Sequence, residues 1–262
     1  ARAVGSFSDI SDVRAMQEAL EHRALHDGLT GLPNRVLFLQ RLSTRLAAGG
    51  ASWSVLFLDL DRFKALNDSF GHAAGDRILT VVADRLGSAV TAKDVIARAG
   101  GDEFAVLLDT VEGLVDTEAR AARILDVLDE PVNVDGSEVL VRASIGVLVG
   151  DASYTSAEEV MRDVDFAMYA SKDAADVRTS IFHPSMRREL RSALELDLRL
   201  RRALEQRQFV PWFQPIVDLD TGRAVGWESL VRWEQEDGSI LLPGAFLPRA
   251  EEIGLLPDID RQ

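Results

Sequence analysis

The alternation of apolar and polar positions divides the chain into short strands and amphipathic helices. Ser54–Leu60 is an apolar run, which predicts a strand that runs straight into the acids Asp59 and Asp61. Val95–Ala99 and Phe104–Leu108 are two more apolar runs, joined by Gly100-Gly101-Asp102-Glu103, a tight turn in which glycine supplies positive φ. Helical spacing predicts helices over 35–46, 63–70, 76–90, 116–129 and 157–173, the first capped by Asn34. A strand is expected over Val139–Leu148 and another opening at Ile181. Ser11–His26 reads as a helix with Val13, Met16 and Leu20 at coiled-coil spacing. Ser185–Gln208 reads as a long charged helix, with a Leu190/Leu194/Leu198 stripe and the pairs Glu195/Arg199 and Asp197/Arg201. Phe209–Leu219 and Ala224–Trp233 read as strands about an Asp220-Thr221-Gly222-Arg223 turn.

Strands and helices mix without strict alternation, so the fold class is α+β. With 262 residues, 47% of them hydrophobic, the chain has enough apolar surface for one to two packed domains. No apolar run approaches the roughly 18 residues of a membrane span, and the start of the chain lacks a signal peptide's apolar stretch, so a cytoplasmic location without membrane contact is expected.

The net charge of −14 opposes binding to nucleic acid, which needs a basic surface. With no cysteine and four histidines, carboxylates are the abundant metal-capable groups, and hard cations such as Mg²⁺ are their natural partners. Asp59, Asp102 and Glu103 each read alone as ordinary strand-end or turn residues; gathered at one end of a sheet they would repel one another unless a cation neutralised them. Between two predicted helices lies Gly71-His72-Ala73-Ala74-Gly75-Asp76, with Asn67 close before it. A carboxylate and an amide placed this way can read a guanine edge, although both residue types are also common helix caps.

The stretch Arg98-Ala99-Gly100-Gly101-Asp102-Glu103-Phe104 resembles the signature hairpin of the GGDEF diguanylate cyclases. Asp27–Arg35 resembles that family's opening turn, Asp59–Lys64 its metal strand and Asn67–Asp76 its guanine loop. The resemblance implies a palm-like nucleotide-cyclase fold, a central mixed sheet flanked by helices, over residues 27–184 that condenses two GTP into cyclic di-GMP as a homodimer. It implies two Mg²⁺ (or Mn²⁺) ions per GTP site, held by Asp59, the Leu60 carbonyl, Asp102 and Glu103, with Glu103, Asp102 and Asp59 as the catalytic acids. Asn67 and Asp76 would hold guanine, and Phe63, Lys64, Gly100, Gly101 and Lys172 would complete the substrate site.

Two positions depart from that pattern. Lys172-Asp173-Ala174-Ala175-Asp176 carries an acid where the family places a phosphate-binding arginine, with Arg178 nearby as a compensating cation. Thr91-Ala92-Lys93-Asp94 lacks the arginine of the family's product-inhibition site. The first departure supports a second reading, a weak or inactive GTP-binding module that regulates a downstream phosphodiesterase. A third is a dimerisation module that binds no nucleotide.

Phe213-Gln214-Pro215-Ile216-Val217 and Trp227-Glu228-Ser229-Leu230-Val231-Arg232-Trp233 resemble the start of an EAL phosphodiesterase domain, with Ser229 in place of its alanine. Glu228 would be a metal ligand there and Arg232 a phosphate contact. The 54 residues from Phe209 to Gln262 fall short of the roughly 250 of an eight-stranded barrel, so residues 209–262 are expected to be a fragment without phosphodiesterase activity. Residues 185–208 would be the connector helix, and residues 1–26 the end of a sensor domain with its signalling helix, Val4–Asp12 resembling a PAS exit.

Overall fold

The computed structural model describes residue 20 and residues 22–50, 52–134, 136–173 and 177–262. The expected PAS-like exit and most of the Ser11–His26 helix lie outside these residues, as does Asp176. The chain forms two compact units, Ala1–His183 and Pro184–Gln262.

In the first unit the elements run α1 (Arg35–Ala47), β1 (Ser54–Leu60), α2 (Phe63–Phe70), α3 (His72–Ala89), β2 (Val95–Gly100) and β3 (Glu103–Leu108). They continue with α4 (Leu114–Leu128), β4 (Val132–Val134), β5 (Ser137–Val139), β6 (Ala143–Val149), α5 (Ala157–Asp173) and β7 (Thr179–Ile181). The five-stranded sheet has the order β2-β3-β1-β6-β7. Its pairings are antiparallel except β6 with β7, so the sheet is mixed, as expected.

β1 lies at the centre and is buried along its whole length, which explains its unbroken apolar run. The two-residue period sorts its side chains between two cores. Leu56, Leu58 and Leu60 pack with Ile78, Val82 and Leu86 of α3 and Ile124 and Leu128 of α4. Val55 and Phe57 pack with Phe38 and Leu42 of α1 and Val160, Val164 and Met168 of α5. β3 obeys the same rule, Phe104 and Val106 facing the first core and Ala105 and Leu107 the second. α1 starts where expected because Asn34 Oδ1 accepts the Val36 and Leu37 amides at 3.0 and 3.1 Å.

Several boundaries differ from the expected ones. The helix expected from Asp76 begins at His72, because the break from α2 needs only Gly71, at φ 83°, and Gly75 is helical rather than part of a loop. The strand expected over Val139–Leu148 is divided into β5 and β6, and β5 pairs with β4 in a small hairpin whose turn is closed by Asn133 Oδ1 accepting the Gly136 amide. Strands of three residues are too short to leave a periodic signal. β7 begins at Thr179, two residues before the expected Ile181.

The second unit comprises α6 (Pro184–Glu205), β8 (Phe209–Val217), β9 (Ala224–Glu234), β10 (Ile240–Leu241), a 3₁₀ turn (Pro243–Ala245), α7 (Leu247–Glu252) and α8 (Leu256–Ile259). The three strands form an antiparallel sheet, β10-β9-β8. Its core is Leu200, Ala203, Phe209, Trp233, Phe246 and Ala250. The leucine stripe expected on this helix is not its buried face: Leu194 and Leu198 are exposed, and Leu196, Leu200, Ala203 and Leu204 point inward. The members of the expected i,i+4 pairs take other partners: Glu195 pairs with Arg191 one turn earlier, Asp197 is chelated by Arg249 at 2.7 and 2.8 Å, and Arg199 lies over the Trp233 ring. Tertiary packing chose the face that matched the aromatic cluster over the face with the more regular spacing. No helix among the described residues is long and apolar enough to cross a membrane.

Candidate active site

The period-2 argument that builds the sheet also builds the site. Asp59 follows Val55 and Phe57 on the α1/α5 face, and Glu103 precedes Ala105 and Leu107 on the same face. The β1/β3 register places Asp59 and Glu103 directly opposite each other. Between β2 and β3 the tip turns on Gly100 and Gly101, at φ 153° and 51°, with a register shift between Arg98 and Gly100. The turn carries Asp102 alongside, its carbonyl accepting the Leu60 amide at 3.3 Å. Asp61 belongs to the same acidic surroundings but is held by the Ser144 hydroxyl at 2.7 Å.

This crowding sets the acidities. Burial raises the Asp59 carboxyl above its ordinary range, Lys172 only partly offsets that, and Asp102 and Asp61 add repulsion. Glu103 is raised by burial and then by Asp165, Asp59 and Asp102, with Arg35 opposing. Asp165 of α5 is raised by burial, with Arg35 and Lys172 pulling it down. Lys172 is the cation the site supplies for itself, its Nζ 2.7 Å from Asp59 Oδ1. Arg35 and Asp165 were not anticipated from the sequence; the signal was their placement on helices expected to flank the metal strand.

No group of three or more His, Asp or Glu side chains among the described residues forms a preformed metal cluster. The donor chemistry nonetheless fits a hard divalent cation: adjacent oxygen donors, carboxyl pKa values pushed up, and more carboxylates than cations. A cation would relieve the repulsion that now raises Asp59 and Glu103.

The strand leaves the site through Arg62, a non-glycine residue in the left-handed region at φ 56°, and α2 follows at once. Backbone held in this sparsely populated region is a feature of functional turns. Phe63 is buried at the start of α2 and Lys64 is exposed beside it. Asn67 lies in the last turn of α2, its carbonyl accepting the Gly71 amide at 2.8 Å, and Asp76 is exposed in the second turn of α3. The two candidate base-reading residues thus flank one tight helix–helix turn. Neither acts as a side-chain cap of the helix it borders.

Arg98 braces the hairpin to the opening turn. Its Nη1 contacts both Asp27 oxygens at 3.1 and 3.2 Å, and its Nε and Nη2 donate to the Gly101 carbonyl at 3.0 and 2.7 Å. Burial would raise the Asp27 carboxyl, but the Thr30 hydroxyl and amide together with Arg98 outweigh it and hold it below its usual range. The backbone adds to the brace, the Arg98 amide donating to the Pro33 carbonyl at 3.0 Å.

Arg178 does not compensate for Asp176 in the way its position suggests. Its Nη1 grips the Asp129 carboxylate at 2.7 and 2.6 Å and its Nε donates to the Ala143 carbonyl, which holds two of the three guanidinium nitrogens in the fold, while Nη2 is buried without a hydrogen-bond partner. Asp94 is likewise committed: its side chain is 1% exposed, accepts the Thr91 amide and hydroxyl and the Asp109 amide, and pairs with Arg120 at 3.5 Å.

The family model described as diguanylate cyclase, GGDEF domain, matches residues 24–178, and the EAL domain model matches 197–262. The bifunctional diguanylate cyclase/cyclic di-GMP phosphodiesterase MucR of Pseudomonas aeruginosa is 39% identical over 249 residues, 94% of this chain and 36% of MucR. The cyclic di-GMP phosphodiesterase NbdA of the same organism is 34% identical over 268 residues, 97% of this chain and 34% of NbdA. The chain therefore spans little more than a third of these curated relatives. The crystal structure of the coiled coil and GGDEF domain of DgcB from Caulobacter crescentus, in complex with c-di-GMP, superposes with a TM-score of 0.61 at 27% identity, covering 66% of this chain and 93% of that one.

Proposed function

Because this chain belongs to the GGDEF diguanylate cyclase domain family, with an EAL segment behind it, we propose that its first unit condenses two molecules of GTP into cyclic di-GMP. The observation that carries this reading is the cross-strand pairing of Asp59 with Glu103 at the mouth of the glycine hairpin.

In each half-reaction a GTP 3′-oxygen attacks the α-phosphorus of the other GTP. A P–O bond forms, the bond from that phosphorus to the bridging oxygen breaks, and pyrophosphate leaves with the electron pair. Asn67 and Asp76 hold the guanine, which orients the ribose. Gly100 and Gly101 admit the triphosphate close to the backbone because they carry no side chain. Glu103, whose carboxyl is raised by burial and then by its acidic neighbours, takes the 3′-hydroxyl proton, with Asp102 beside it. Lys172 exchanges its hold on Asp59 for the phosphates, and Lys64 and the buried Phe63 shape the entrance. Two Mg²⁺ (or Mn²⁺) ions per site, held by Asp59, the Leu60 carbonyl, Asp102 and Glu103, would supply charge stabilisation for the attacking and leaving oxygens. One domain holds one GTP, so the working state is a homodimer, and in the intact protein an upstream sensor domain and the EAL domain are its partners. The residues form a cyclase domain over 27–184, joined by a connector over 185–208 to the EAL portion at 209–262.

A second reading is favoured by one observation: Asp176 replaces a phosphate-binding cation, and Arg178 is engaged elsewhere. On that reading the domain binds GTP without turning it over and regulates a phosphodiesterase, the activity in NbdA's name. Calorimetric titration of GTP with Mg²⁺ into the wild type and Asp59→Ala separates nucleotide binding from a purely structural role. Binding lost in the variant supports a nucleotide site; no binding in the wild type would overturn both readings.

A further inference from the structure

Gly75 sits inside α3, buried, with an ordinary helical backbone. Its conformation does not call for glycine, and glycine weakens a helix interior relative to alanine. Its surroundings do call for it. A Cβ at this position would lie 1.9 Å from Asn67 Oδ1, 3.0 Å from Asn67 Cγ and 3.1 Å from Phe63 Cζ. At Gly87, further along the same helix, a Cβ would meet nothing within 4 Å. An independent observation falls on the same atom: Asn67 Oδ1 is buried and has no hydrogen-bond partner. An amide oxygen left in that state is unfavourable, and the missing Gly75 side chain is what lets it sit there.

We propose that Gly75 is a positioning residue for the base-reading amide, its missing side chain forming the slot that receives the Asn67 oxygen and turns the amide nitrogen toward the nucleotide. This rests on the reading of Asn67 and Asp76 as the guanine contacts. With the oxygen end in the slot, the nitrogen end is a donor suited to an acceptor on the base, while the Asp76 carboxylate takes the base's own donors. The Phe63 ring lines the slot from the side, its Cζ 3.1 Å from where a Cβ on Gly75 would stand.

The substitution that tests this is structurally mild, because the obstructed atom is the far end of a side chain and alanine is the better helix former. Gly75→Ala, Asn67→Ala and the double variant are titrated with GTP, with Gly87→Ala as a control, and their melting temperatures are recorded. The proposal expects Gly75→Ala to melt no lower than wild type and bind GTP about tenfold more weakly, the effect of one lost hydrogen bond. On the Asn67→Ala background it expects no further loss, because the two changes act through one amide. The Asn67 side-chain amide resonances, assigned by comparison with Asn67→Ala, should move in Gly75→Ala without any ligand and stay in place in Gly87→Ala. Wild-type affinity in Gly75→Ala, an equal loss on both backgrounds, or unmoved Asn67 resonances would overturn the proposal. A wild type that binds no GTP would overturn it together with the guanine reading, which distinguishes the two failures.

Discussion

Glu103 is pressed by three carboxylates while Arg35 opposes them, an arrangement unfavourable for the empty domain and useful for proton abstraction. Glu103→Gln should therefore abolish cyclisation and still raise stability, by about 0.5–1 kcal/mol at neutral pH in chemical denaturation. A variant that lost both activity and stability would show that Glu103 is held by attractions rather than repulsions. Asp27 presents the opposite sign. Its folded carboxyl lies below its unfolded value, so its contribution is complete above the ordinary aspartate range and is lost as pH falls through the depressed folded value. Asp27→Asn should cost about 1–2 kcal/mol at pH 7 and nothing once the carboxyl is protonated in both the folded and the unfolded protein. A pH-independent difference between the melting curves of the two proteins would contradict the Arg98 and Thr30 contacts. These residues were differently legible in the sequence. Asp59, Asp102 and Glu103 stood at the ends of apolar runs and could be found there. Arg35 and Asp165 act through space between helices, and Gly75 read as loop punctuation because its reason is a side chain eight positions earlier.

At the scale of elements, β1, α2 and the β2–β3 hairpin were readable because strand alternation and glycine turns are local signals. The β4–β5 hairpin and the buried face of α6 were not, since one is too short for periodicity and the other was chosen by the aromatic cluster it packs on. The contact that places Lys172 is also non-local. α5 lies so close on β6 that a Cβ on Gly146 would come within 2.3 Å of the Val164 carbonyl and 2.4 Å of the Met168 amide nitrogen, both backbone atoms. Gly146→Ala should therefore cost about 2–4 kcal/mol in denaturant unfolding, because a helix backbone cannot give way as a side-chain end can. It should also weaken GTP binding by moving Lys172 away from Asp59; unchanged stability would mean that α5 has another seat on the sheet.

For the molecule as a whole, the chain divides into two compact units and matches two family models, the diguanylate cyclase GGDEF domain over residues 24–178 and the EAL domain over residues 197–262. Arg178 is engaged by Asp129 and Arg98 by Asp27 and Gly101, which leaves Arg35, beside Glu103 and Asp165, as the described arginine of the site without such a partner. Asp176→Arg should raise turnover about tenfold by replacing repulsion with a charge-assisted contact. An unchanged rate would place the phosphate contacts on Lys172 and the hairpin backbone alone. The measurement that tests the central claim most directly is chromatography of the nucleotides formed when the purified chain is incubated with GTP and Mg²⁺ over a range of protein concentrations. The account predicts cyclic di-GMP and pyrophosphate, specific activity that rises with protein concentration as dimers form, and no product from Glu103→Gln. GTP that binds yet persists unchanged at every protein concentration would contradict it and leave the first unit as a nucleotide-sensing regulator.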